Sequence, residues 1–76
     1  MTEPPSPQTI PLRGDHITLA QAVKLAGLAD SGGQAKAHVR TGTIIVNGVR
    51  ETQPGRKLRA GDSFGLAVGG EWTITA

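Results

Sequence analysis

Eighteen residues, Ser31 to Gly48 (SGGQAKAHVRTGTIIVNG), constrain the fold of this chain more than any other stretch. Ser31 is a good helix N-cap, and Gln34 follows three residues later, the spacing of a capping box. Ala35 and Val39 lie four apart and define a buried helix face; Lys36 and Arg40, also four apart, define a basic one beside it. Gly42 can end the helix in the left-handed conformation that side chains disfavour. Thr43 to Val46 is β-branched throughout, and Asn47-Gly48 is a strong signal for a two-residue hairpin turn. That turn sets Val46 opposite Val49 and Ile45 opposite Arg50. A short basic helix is thereby held beside a hairpin.

Charge follows the same division. Ser31 to Ala60 carries six basic residues against the single acid Glu51, while the remaining positions are net acidic, so the total is only +2. Positive charge gathered in one part of a small domain is the footprint of a polyanion-binding surface. Seventy-six residues make one domain with a small core. The chain has no cysteine, and its two histidines, His16 and His38, are far apart, so neither a disulfide nor a metal centre is expected. No apolar run approaches the roughly 18 residues of a membrane span. Residues 1–9, with three prolines, read as a disordered tail and not as a secretory signal; residues 10–76 read as the ordered domain. A soluble, cytoplasmic, monomeric protein is expected.

Before the organising stretch, Ile10 and Leu12 flank Pro11 and suit an edge strand. Thr18 and Gln21 form a second capping box, and Leu19, Ala22, Val23 and Ala26 follow helical spacing up to a stop at Gly27. Two helices this close make a compact αα unit. After the hairpin, Leu58 is the one core anchor among Arg56, Lys57 and Arg59. Phe64, Leu66 and Val68 alternate, as do Trp72 and Ile74. A loop over 69–71, pairing Val68 with Trp72 and Leu66 with Ile74, aligns their apolar faces and is the expected register.

No serine has an acid–histidine constellation around it, and no phosphate-binding loop motif occurs, so the chain does not read as an enzyme. The glycines after the cap, Gly32 and Gly33, leave a helix N-terminus open to a phosphate. His38 lies on the basic helix, within reach of the same ligand. Arg50, Arg56, Lys57 and Arg59 extend the patch into a stripe if the 52–59 loop folds over the second helix. Phe64 and Trp72, the only aromatics, alternate as core residues. That disfavours base stacking and favours arginines and lysines gripping the backbone of a folded RNA.

The combination of Gly27-Leu28, Ser31-x-x-x-Ala35-Lys36, Gly42-x-Ile44-x-Val46-Asn47-Gly48 and Leu58-x-x-Gly61-Asp62 resembles the S-four RNA-binding domain, named after small-subunit ribosomal protein four. The likeness covers His16 to Thr75 and is greatest to small stand-alone, YbcJ-like members. It implies an α+β fold, an αα unit on a small bent antiparallel sheet (the alpha-L motif). It also implies a structured RNA partner, ribosomal or transfer RNA, with no cofactor and no small-molecule substrate. Carried over by position, it implicates Ser31, Lys36, Arg40, Asn47 and Gly48, with Lys24 and Arg50 flanking. Many members place arginine directly after the serine; here Gly32 stands there, and Lys36 replaces a common second arginine.

Two rivals make different demands. A β-grasp-like protein-interaction domain shares the strand–Asn-Gly–strand and Gly-Asp signals, although a sulfur carrier would end in Gly-Gly and this sequence ends Ile74-Thr75-Ala76. A small hydrolase would need a deep pocket around His16 or His38.

Overall fold

The structure, a computed structural model, describes residues 8–76. In chain order its elements are β1 (Gln8–Pro11), β2 (Ile17–Thr18), α1 (Leu19–Leu25), α2 (Gly32–Arg40), β3 (Ile44–Val46), β4 (Val49–Glu51), β5 (Lys57–Leu58), β6 (Ser63–Leu66) and β7 (Gly69–Thr75). The expected disorder of positions 1–7 lies outside the described residues. Gln8 and Thr9, assigned to the tail on sequence, instead begin β1, where Gln8 pairs with Trp72 and Thr9 with Thr73.

Both helices start where their caps dictate. The Thr18 hydroxyl accepts from the Gln21 N–H at 3.3 Å, and Gln21 Oε1 accepts from the Thr18 N–H at 3.2 Å. At α2 the Ser31 hydroxyl accepts from the Gln34 N–H at 3.2 Å. The reciprocal bond differs from the expected box: Gln34 Oε1 accepts from the N–H of Asp30, at 2.8 Å, one residue before the cap. Gly27 (φ +80°) and Gly42 (φ +79°) end the helices in the left-handed region.

Five strands form a sheet in the order β1-β7-β6-β3-β4, and β2 pairs separately with β5. The larger sheet is antiparallel except at its edge, where β1 runs parallel to β7, so it is mixed and not the wholly antiparallel sheet expected. Asn47 and Gly48 both have positive φ, +50° and +84°, the backbone of a type I′ turn. Val46 and Ile45 accordingly face Val49 and Arg50.

The last hairpin takes another register. Phe64 lies opposite Trp72 and Leu66 opposite Gly69, with a bulge at Gly65/Leu66; the chain turns at Ala67 and Val68. Face alignment repeats every two residues, so burial alone cannot separate registers that differ by whole pleats. The register adopted stacks Phe64 on Trp72, with ring centroids 5.7 Å apart, and sends Val68 to the exposed tip. Phe64, Trp72, Ile74, Ile10, Ile44 and Val46 join Leu19, Val23, Val39 and Leu58 in one buried cluster. Leu58 is wholly enclosed and anchors the strap that leads back from β4.

Candidate nucleic-acid interface

Ala35 and Val39 are fully buried, which turns Lys36, His38 and Arg40 outward along α2. Arg50 reaches the same end of that helix from the neighbouring hairpin. A Cβ at Gly42 would stand 3.2 Å from Arg50 Cδ, so the arginine stem crosses the turn that follows Arg40. Among the described residues the one ion pair is Glu51–Arg56, which leaves Lys36, Arg40 and Arg50 without a carboxylate partner.

The two helix N-termini differ. At α1 the strap from β4 covers the first turn: the Leu19 N–H donates to the Arg56 carbonyl at 2.8 Å, and the Ala20 N–H to the Pro54 carbonyl at 3.0 Å. At α2 the N–H groups of Gly32 and Gly33 have no protein acceptor among the described residues. A Cβ at Gly32 would meet nothing within 4 Å, so that approach is open. Asp30, exposed just ahead of Ser31, puts one negative charge near it.

Asn47 and Gly48 form the hairpin tip, but the Asn47 side chain is occupied within the fold. Its Oδ1 accepts from the Ser63 N–H at 2.9 Å, and its Nδ2 donates to Asp62 Oδ1 at 3.2 Å. Asp62 Oδ2 accepts from the Arg59 N–H at 2.8 Å. That backbone bond, with help from Asn47, holds the Asp62 carboxyl below its ordinary range. The Asn-Gly and Gly-Asp signals thus belong to one clasp that shapes the hairpin.

The strap from 52 to 59 does not fold over α2 as the stripe required. Its backbone bonds go to the first turn of α1, and Lys57 pairs with Thr18 of β2. Arg56 Nη1 donates to Glu51 Oε1 at 2.9 Å. That guanidinium, then the N–H groups of Gln53 and Thr52, hold the Glu51 carboxyl low against its partial desolvation. The Arg56 charge is offset, and Lys57 and Arg59 sit on the strap, Lys57 opposite Thr18 and Arg59 beside Asp62.

Lys24 lies on the exposed face of α1. It lines a groove of about 520 Å³ on the outer side of α1, together with Arg13, His16 and Leu25, and no α2 residue contributes to that wall. Sequence reading missed this groove because Arg13 and Leu25 are too far apart in the chain to form a motif. His16 lies there, yet among the described residues the lining offers no serine, threonine or carboxylate for it to activate. Among the described residues no helix is long and apolar enough to cross a membrane, and no cluster of side chains suits a metal ion.

Comparison with known proteins agrees with this architecture. The family model described as "S4 domain" matches residues 10–74. YbcJ of Escherichia coli (strain K12) is 36% identical over 52 residues, 68% of this chain and 74% of that protein. RlbA of Bacillus subtilis (strain 168), by name a probable ribosome maturation protein, is 42% identical over 48 residues, 63% of this chain and 68% of that protein. The solution structure of E. coli YbcJ, described as revealing an alpha-L motif involved in RNA binding, superposes with a TM-score of 0.73 at 30% identity, covering 100% of this chain and 96% of that one. The β-grasp alternative gives way to this fold, in which two consecutive helices precede the Asn47-Gly48 hairpin.

Proposed function

The chain belongs to the S4-domain family, and from that premise we propose that it is a non-enzymatic module that grips the phosphate backbone of a structured RNA. The observation that carries this reading is the set of exposed cations on one helix and its neighbouring hairpin with no carboxylate partner among the described residues: Lys36, Arg40 and Arg50. Guanidinium and ammonium groups without a carboxylate partner are free to replace the counterions of an RNA backbone. The uncapped N–H groups of Gly32 and Gly33 add donors at the other end of α2, beside the Ser31 hydroxyl. Gly48 gives the hairpin tip its shape, and His38 contributes a further donor on the exposed helix surface.

Phe64 and Trp72 are buried against each other, so neither offers a platform for bases, and recognition at α2 rests on shape and backbone. The names of the relatives support the choice of RNA: one is described with an RNA-binding motif and the other by ribosome maturation. Ribosomal RNA is therefore the first candidate and transfer RNA the second. The protein acts as a cytoplasmic monomer in which residues 8–76 form one domain.

The salt dependence of binding to a folded ribosomal RNA fragment tests the reading. Three phosphate contacts give a slope of log affinity against log salt of roughly −2 to −3. If Lys57 and Arg59 join on the same RNA, five contacts give roughly −3.5 to −4.5. Affinity that does not change with salt would remove the backbone-gripping mode.

A further inference from the structure

The groove outside α1 has a composition of its own. Gln21, Lys24 and Leu25 share the helix face turned away from the core, where Leu19, Ala22 and Val23 are buried. Leu25 is 63% exposed, unusual for a large apolar side chain. Leu12 and Ile17, half-buried, complete an aliphatic floor, and Arg13, His16 and Lys24 stand around it. Among the described residues no carboxylate lines the groove. Gln21 Oε1 already accepts from the Thr18 N–H, and its amide N–H₂ has no acceptor among the described residues and can donate to a ligand. The wall therefore combines an apolar floor with cations and donors.

A ligand matching that wall has a flat apolar face, several acceptors and a negative charge. We propose that the groove takes one unpaired nucleotide of the bound RNA, its base against Leu12, Ile17 and Leu25 and its phosphate between Arg13 and Lys24. The proposal rests on the RNA-binding reading above. Aliphatic side chains pack against base faces in other nucleic-acid complexes, so the lack of an aromatic residue is no obstacle. The size also fits: about 520 Å³ lies inside the range of small-ligand sites, roughly 300–1,000 Å³. A stable protein interface takes about 800 Å² from each partner, far more than a groove of this extent. The site lies apart from α2, so the RNA would meet the protein twice, by its folded backbone at α2 and by a splayed nucleotide at α1.

Amide NMR shifts of the full chain test the proposal, with AMP, inorganic phosphate, ribose 5-phosphate and a short oligo(A) as probes. AMP and oligo(A) are expected to move the amides of Leu12, Ile17 and Leu25, while phosphate and ribose 5-phosphate at equal concentration leave them in place. Leu25→Glu, at an exposed position that should not unfold the protein, is expected to weaken AMP binding about tenfold, or 1.4 kcal/mol. Arg13→Glu provides a second variant with the same expected direction. Equal shifts from phosphate alone would reduce the site to a cationic rim and overturn the proposal. So would the absence of groove shifts at millimolar AMP, or binding of an acidic leucine-rich peptide there in preference to oligo(A). Lys36→Glu with Arg40→Glu separates the two readings: it should leave the AMP shifts intact, so loss of the α2 contact and loss of the groove are read independently.

Discussion

The side-chain amide of Asn47 joins Asp62 at 3.2 Å across fifteen residues, fastening the β3–β4 turn to the turn before β6. Asn47 also accepts the Ser63 N–H and sits at φ +50°, where most side chains are strained. Asn47→Ala removes both bonds and keeps the strain; the expected loss is about 2 kcal/mol in urea unfolding. Asn47→Gly removes the bonds and relieves the strain, and should lose about 1 kcal/mol less. Equal losses in the two variants would mean that the backbone angle contributes nothing.

Acid should loosen the same clasp. Asp62 and Glu51 titrate below their ordinary values of 3.8 and 4.5, Asp62 chiefly through the Arg59 N–H and Glu51 chiefly through the Arg56 guanidinium. A carboxyl that ionises more readily when folded lends stability that is full above its ordinary value and is lost as pH falls through the folded one. The urea midpoint is expected to hold from pH 7 to about pH 5 and to fall below it. Glu51→Gln with Asp62→Asn should flatten that fall; an unchanged profile would place the acid sensitivity elsewhere.

Gly65 is required by space. A Cβ there would overlap the carbonyl oxygen of Gly70 across the bulge, and backbone cannot swing aside as a side chain could. Gly65→Ala is expected to cost about 3 kcal/mol or more and to lower Tm by more than about 10 °C. Gly14→Ala, with nothing within 4 Å of the added carbon, is the matched control and should leave Tm nearly unchanged.

Asp30 opposes an anion at the start of α2. Asp30→Asn removes one negative charge beside the open Gly32 and Gly33 amides, and RNA affinity should rise about 2- to 5-fold at low salt. No change would show that phosphate does not approach this helix end.

Local signals were legible in the sequence because they act over four residues or fewer. Thr18 with Gln21, Ser31 with Gln34, and Asn47 with Gly48 each named an element boundary. Contacts over longer distances were not. The register of β6 with β7 depended on Phe64 meeting Trp72, which pleat alternation permits equally with other pairings. Two-residue strands such as β2 and β5 have no period to detect, so the docking of the strap on α1 left no trace. The site divided in the same way: Lys36 and Arg40 followed from helical spacing, whereas the place of Lys24 in a groove wall with Arg13 and the pairing of Arg56 with Glu51 depended on tertiary contacts.

The central claim is that α2 and its neighbouring hairpin carry the RNA backbone. The most direct test measures the affinity of the Lys36→Glu, Arg40→Glu double variant for a folded ribosomal RNA fragment, with circular dichroism to confirm the fold. Both positions are exposed, so the fold should persist, and binding should fall by two orders of magnitude or more, about 3 kcal/mol. A folded double variant that binds that RNA as tightly as the parent chain would contradict the account.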